Sequence, residues 1–128
     1  MINEPFIYHR RIYYADTDAG GIVYHANYLR FGEEARAEWL RSSGICKKKL
    51  MEQSIFFIVT QANVKYHKPA LLDDLLSIET RLIKKTRTRF FFSQMCKRQE
   101  EMIAEIDVVV ACINSKGRPC SPPDILAQ

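Results

Sequence analysis

The spacing of apolar positions along this chain shifts between a period of two and a period near 3.6, and each shift marks a predicted element. Residues 6–15, F-I-Y-H-R-R-I-Y-Y-A, are rich in aromatic and β-branched types and predict a first strand. From Ala26 to about Arg41 the spacing becomes helical. Tyr28, Phe31, Gly32, Ala35 and Trp39 fall at i, i+3, i+4, i+7 and i+11 and predict one buried stripe, with Glu33, Glu34, Arg36 and Glu38 facing mostly elsewhere. Ser42-Ser43-Gly44 supplies the stop, because glycine is favoured just past a helix end. The stretch K-K-K-L-M-E-Q at 47–53 predicts a short second helix. Four strand-like segments follow, at roughly 55–67, 74–85, 87–98 and 102–113. Turns separate them around Pro69-Ala70 and Asp73-Asp74, at 85–87 and at 99–101, the last two short enough for hairpins.

The predicted order is therefore strand, long helix, then four strands in a meander. One helix of about four turns cannot cover both faces of a five-stranded sheet. An α+β arrangement satisfies the pattern: a five-stranded antiparallel sheet wrapped around one long central helix, as a single domain over residues 1–128. The sheet keeps an outer face or an edge for another subunit. The tail carries Gly117, Pro119, Pro122 and Pro123 without any period and is expected to be loosely ordered from about residue 115. Gly32 stands inside the helix, where glycine costs about 1 kcal/mol relative to alanine. Close approach of helix to sheet is the expected compensation.

Composition narrows the class. At 128 residues, 47% hydrophobic and 27% charged, the chain is sized and mixed for one globular core. Its N-terminus lacks the basic-then-apolar order of a signal peptide, and no apolar run approaches the roughly 20 residues of a membrane span. Cys46, Cys96, Cys112 and Cys120 form no C-x-x-C pair and no zinc spacing. They read as reduced thiols in a cytoplasmic protein, with Cys96 and Cys112 packed as small hydrophobes. Nineteen Lys and Arg against fifteen Asp and Glu give a net charge of +4. That balance suits an anionic small ligand or an acidic partner better than nucleic acid.

The chemistry concentrates in D-T-D-A-G-G-I-V-Y-H, residues 16–25. Asp16 and Asp18 lie on a loop at a strand's end, two glycines let the backbone turn, and a helix begins just afterward. A helix N-terminus offers unpaired N–H groups and positive partial charge, the requirements of an oxyanion site. A carboxylate beside such donors suits attack on a carbonyl. The plainer alternative is that these Asp residues only cap the helix. A calcium loop does not fit, because the closing glutamate is missing and Ile22-Val23 intervene. No cluster with metal-ligand spacing occurs, and no G-x-S-x-G.

The run D-T-D-A-G-G-I-V-Y-H-A-N-Y-L-R-F-G-E-E-A-R resembles the signature of the 4-hydroxybenzoyl-CoA thioesterase-like hotdog family. It is closest to the branch of acyl-CoA thioesterases associated with the Tol–Pal cell-envelope system. V-K-Y-H-K-P-A at 64–70 and L-D-D-L-L at 72–76 extend the likeness along the chain. The resemblance implies a hotdog fold and hydrolysis of a short- or medium-chain or an aromatic acyl-CoA thioester to free acid and CoA, both acyl classes staying open, with no cofactor beyond the CoA of the substrate. It places the catalytic carboxylate at Asp18, as nucleophile or general base, and the oxyanion donor at the N–H of His25. The His25 side chain and Tyr14 match functional positions in that branch. Tyr14 is otherwise a strand aromatic packed on the core, and Asp16 supports the loop. Glu34 is a reserve acid, because other hotdog thioesterases place theirs on the helix; helix-dipole stabilisation is the structural reading for both Glu33 and Glu34. Lys65, His67, Lys68, Arg87 and Arg89 are the expected contacts for the CoA phosphates. The family further implies a homo-oligomer, a dimer or a homotetramer built as a dimer of dimers, with active sites at subunit interfaces. Two rival readings share the fold. A hydroxyacyl dehydratase would need an H-F-P-like motif, which is missing, and an acyl-carrier-protein-binding module of envelope lipid metabolism would exploit the basic surface.

Overall fold

The helical period becomes α1 (Asn27–Ser42) in the computed structural model, which describes residues 4–122. α1 buries Tyr28, Phe31, Gly32 and Ala35, as the apolar stripe requires, and Leu40, which the stripe did not include. It also buries Arg36, which the pattern had placed among the outward-facing residues. Trp39 is only partly buried and packs edge-on against Phe92, with ring centroids 5.4 Å apart. Gly44 ends the helix at φ +82°, a left-handed conformation that glycine adopts without a Cβ clash. The Ile45 N–H then reaches back to the Leu40 carbonyl at 3.0 Å while Ile45 itself is buried, a Schellman closure.

Around α1 lie β1 (Phe6–Arg11), α2 (Lys47–Glu52), β2 (Phe56–Tyr66), β3 (Leu75–Lys85), β4 (Arg89–Arg98) and β5 (Glu101–Ile113). The strands form one antiparallel sheet in the order β1-β3-β4-β5-β2. The last four strands are thus not a simple meander. β2 pairs with β5, and the segment around Pro69–Asp74 carries the chain from that edge to the opposite one, where β3 joins β1. Only β3, β4 and β5 follow one another through short turns. Strand burial has the expected period of two: Leu76, Ile78 and Thr80 on β3, then Phe90, Phe92, Gln94 and Cys96 on β4, face α1. Phe31, Ile12, Leu76, Ile78, Ile103 and Ile106 are essentially inaccessible, each worth about 1.5–3 kcal/mol of burial.

One polar layer crosses this core. The Gln94 amide donates to the Gly32 carbonyl (2.9 Å) and to the Thr80 hydroxyl (3.0 Å), and its oxygen accepts from Arg36 Nη1 (2.9 Å). A Cβ built on Gly32 would stand 2.9 Å from that Gln94 oxygen. The glycine therefore makes room for a buried amide side chain, not for a strand backbone.

Cys96 and Cys112 are buried, and desolvation pushes both thiols up to about 12. Beyond β5 the described tail makes local hydrogen bonds. Asn114 Oδ1 accepts the Lys116 and Arg118 N–H groups, Ile113 bridges to Pro119, and the Cys120 N–H bonds the Cys112 carbonyl at 3.0 Å. Residues 123–128, Pro123 among them, lie outside the described residues.

Candidate active site

β1 stops at Arg11, short of the predicted 6–15, and Tyr14 opens a 3-10 turn (Tyr14–Asp16). The Tyr14 side chain is 81% exposed, so it is not a strand aromatic packed on the core. Asp16 closes that turn and is 3% exposed. Its carboxylate takes Arg10 (2.7 Å), Arg30 and the Tyr13 N–H (2.9 Å). Burial alone pushes the Asp16 pKa up, but Arg10, the Tyr13 N–H and Arg30 outweigh it and hold the group below its ordinary value. The Asp16 carbonyl accepts the Tyr24 N–H (3.0 Å) and the Asn27 amide (2.8 Å), tying the turn to the start of α1.

On this anchor the loop folds as a small hairpin, Thr17 pairing with Val23 and the Asp18 N–H donating to the Ile22 carbonyl at 2.9 Å. Gly21 turns it at φ +80°. The Gly20 N–H donates to Asp18 Oδ1 at 2.9 Å, and a Cβ there would crowd that oxygen at 3.3 Å. One glycine makes the turn and the other orients the carboxylate. Asp18 is exposed and enters no salt bridge among the described residues.

The start of α1 bears on the capping alternative. Its N-cap is Ala26, with no side-chain cap, so neither aspartate spends its carboxylate there. Among the described residues the His25 N–H finds no acceptor. His25 precedes the helix in an exposed turn, its ring 4.6 Å from Tyr24 and edge-on to Tyr66 at 6.3 Å. The Tyr66 hydroxyl donates to the His25 carbonyl at 2.9 Å. Tyr66, at the end of β2, was not among the expected site residues; its place in V-K-Y-H-K-P-A, which follows the strand toward the helix start, was the available signal. The Glu34 carboxylate is committed to Arg10 (3.0 Å) and the Tyr8 hydroxyl (3.0 Å), while Glu33 pairs with Lys47 at 3.3 Å. No group of three or more His, Cys, Asp or Glu among the described residues is placed to hold a metal.

A carboxylate oriented by a backbone N–H, on a hairpin that leads into an uncapped helix start, is an arrangement that acyl transfer can use. The family model of the thioesterase-like superfamily matches residues 13–128. The chain belongs to that superfamily. It is 40% identical over 121 residues to the acyl-CoA thioester hydrolase YbgC of Escherichia coli O6:H1, covering 92% of this chain and 90% of that one. Against the acyl-CoA thioesterase YbgC of Haemophilus influenzae it is 39% identical over 125 residues, 96% and 92% of the two chains. A probable thioesterase of Bartonella henselae superposes with a TM-score of 0.89 at 37% identity, covering 93% of this chain and 99% of that one. The sheet and its enclosed helix are the hotdog fold of these thioesterases.

Within this superfamily member the expected CoA contacts fall into two groups. Lys65, near the end of β2, and His67 and Lys68, just past it, flank Tyr66, whose hydroxyl reaches the His25 carbonyl; His67 and Lys68 pair with Glu105 (2.6 Å) and Glu101 (2.5 Å). Arg87 and Arg89 stand at the β3–β4 turn. Lys65 is opposite Glu105 and Arg89 opposite Ala111, so six residues of β5, about 20 Å, separate the groups. One chain does not bring them together.

Among the described residues no helix is long and apolar enough to cross a membrane.

Proposed function

We propose that this chain hydrolyses acyl-CoA thioesters to the free acid and CoA, with Asp18 as the reacting carboxylate. The observation that carries the reading is the pairing of a fixed Asp18 oxygen with an uncapped α1 start, inside a chain of the thioesterase-like superfamily. With Oδ1 held by Gly20, the second oxygen of Asp18 is the one left to react. It either attacks the thioester carbon and expels CoA as the thiolate, leaving an anhydride that water then cleaves to the free acid and the regenerated Asp18, or takes a proton from water as that water attacks the carbon and the thiolate leaves. The His25 N–H and the positive end of α1 stabilise the developing oxyanion. Tyr14 and the His25 ring flank the acyl carbonyl.

The active form is a homo-oligomer paired through β2. This strand is a sheet edge of 11 residues, and from Phe56 to Val64 it carries no charge. Ile58 and Val59 are 43% and 50% exposed. Long uncharged edges are normally covered, whereas the short β1 edge is guarded by His9, Arg10 and Arg11. A two-fold axis across antiparallel β2 strands sets the Phe56 end of one copy beside the Tyr66 end of the other. The second copy's Arg87 and Arg89 then approach the first copy's Lys65–Lys68 group, forming one basic surface for the CoA phosphates.

Asp18→Asn tests the assignment. Turnover of acyl-CoA is expected to collapse while binding persists; near wild-type hydrolysis would remove Asp18 from the chemistry. Single turnover in ¹⁸O-water then separates the two roles, since label in the Asp18 carboxylate requires the anhydride.

A further inference from the structure

Arg36 is buried with little to hold it. It is 9% exposed, and its one hydrogen bond, from Nη1, goes to the neutral Gln94 amide. Desolvation lowers its pKa, and the pull of Glu33 does not compensate. Glu33 is itself half exposed and paired with Lys47. No salt bridge to Arg36 exists among the described residues. No buried side-chain nitrogen or oxygen there lacks a hydrogen bond, so the guanidinium nitrogens without a partner reach open space. That space is a slot. Two adjoining cavities of about 120 and 330 Å³ share Glu33, Arg36 and Val59 in their walls. The slot begins at Leu29, two residues into α1, and continues past Arg36 toward Trp39 and Phe57. Its other walls are Leu40, Ala62, Val108, Val110, Phe90 and Phe92, together with two cations that are already paired, Arg30 with Asp16 and Lys47 with Glu33.

A buried guanidinium that lacks a carboxylate costs several kcal/mol, and a bidentate anionic ligand recovers much of that. A methyl end would leave the penalty in place. We propose that the slot receives the acyl chain of the substrate and that Arg36 binds a carboxylate at its far end. The preferred substrate is then the mono-CoA thioester of a straight-chain dicarboxylic acid. From the α1 start at Asn27 to Arg36 the helix advances about 14 Å. A chain on the order of ten carbons spans it at about 1.5 Å per bond, less the zigzag. The inference rests on the thioesterase reading above and adds the end group and the length.

The test compares mono-CoA thioesters of dicarboxylic acids of roughly six to twelve carbons with methyl-ended acyl-CoAs of equal length. Near the matching length, kcat/KM is expected to favour the carboxyl end by about tenfold to hundredfold, the range of a charge-assisted hydrogen bond. Arg36→Leu should invert that ratio, because it leaves the carboxylate unpaired, the slot's other cations being already committed. Arg36→Lys, which keeps the charge without the fork, should retain part of it. A methyl-end preference at every length in the wild type would overturn the proposal, and that measurement needs no variant to fold. An unchanged ratio in Arg36→Leu, with loss of dimer by sedimentation, would also overturn it and give the slot to a carboxylate of the second copy. If neither series nor any short acyl-CoA is hydrolysed, the thioesterase reading itself fails. Hydrolysis of short acyl-CoAs without the end-group preference removes only this inference.

Discussion

Tyr66 and His25 are 41 residues apart in sequence and joined by a 2.9 Å hydrogen bond, from the tyrosine hydroxyl to the histidine carbonyl. The bond connects the β2 edge to the His25–Ala26 peptide, one residue from the N–H proposed as the oxyanion donor. Tyr66 is also packed edge-on against Tyr28, 5.6 Å between centroids, which fixes the ring independently of its hydroxyl.

Tyr66→Phe isolates the hydrogen bond. The ring contacts with Tyr28 and His25 remain, so stability should change by about 1 kcal/mol or less. If the bond orients the His25 N–H, kcat should fall severalfold to tenfold with KM little changed, since oxyanion donors act on the transition state. Steady-state kinetics on an acyl-CoA that the wild type accepts would check this. A rise in KM alone would make Tyr66 a substrate contact.

Asp16 predicts an acid-sensitive loop. Its folded pKa lies below the unfolded value of about 3.9. The stabilisation is therefore complete above that value and is lost as pH falls through the lower folded pKa. Denaturant unfolding from neutral pH to the acid limb should show this slope, and Asp16→Asn should flatten it. At neutral pH the same variant leaves Arg10 and Arg30 without that partner and should cost about 3–5 kcal/mol, the range for breaking a buried pair.

Gly32→Ala should destabilise, although alanine is the better helix former by about 1 kcal/mol. The new methyl would meet Gln94 Oε1 at 2.9 Å, and that amide is fully buried and held by Gly32, Thr80 and Arg36. Overpacking of this kind costs about 1–3 kcal/mol, so a net loss is expected. Gln94→Ala in the same background should relieve the clash, and a double-mutant cycle by urea unfolding would measure the coupling. A stabilised Gly32→Ala would mean that the amide moves aside freely.

Periodicity located α1 to within a residue at each end and β2–β5 to within two, because burial on one face imposes a local repeat. Strand order was not legible in this way. Whether β2 pairs with β3 or β5 depends on contacts about 50 residues apart, and both alternatives show the same period. Arg36 was misread for a related reason: its position on α1 borders the apolar stripe, and only the cavity and Gln94 reveal that it turns inward. In the loop, the aspartates and glycines were visible as residue types. Which aspartate is anchored and which is oriented came only from Arg10 and Arg30, one on each neighbouring element.

The separation of Arg89 from Lys65 leads to the last prediction. Within one chain Arg89 sits at the Ala111 end of β5 and His25 at the Ala104 end, where Tyr66 pairs. With β2 strands paired about a two-fold axis, the neighbour's β4 lies three strands from this chain's β2, about 14 Å, at the His25 end. An active pocket then draws Asp18 from one chain and Arg89 from the other. Asp18→Asn and Arg89→Ala homodimers should both be weak, the first in kcat and the second mainly in KM. Co-expression forms heterodimers in which one pocket carries both lesions and the other carries none. Random assortment puts half the dimers in that class, each with one intact pocket, so roughly a quarter of wild-type activity should return. High salt should weaken the wild type and the restored pocket alike, mainly through KM, because exposed phosphate contacts are screened. If native mass spectrometry confirms the heterodimers and activity equals only the average of the parents, the pocket is not shared between Asp18 and Arg89 across a dimer.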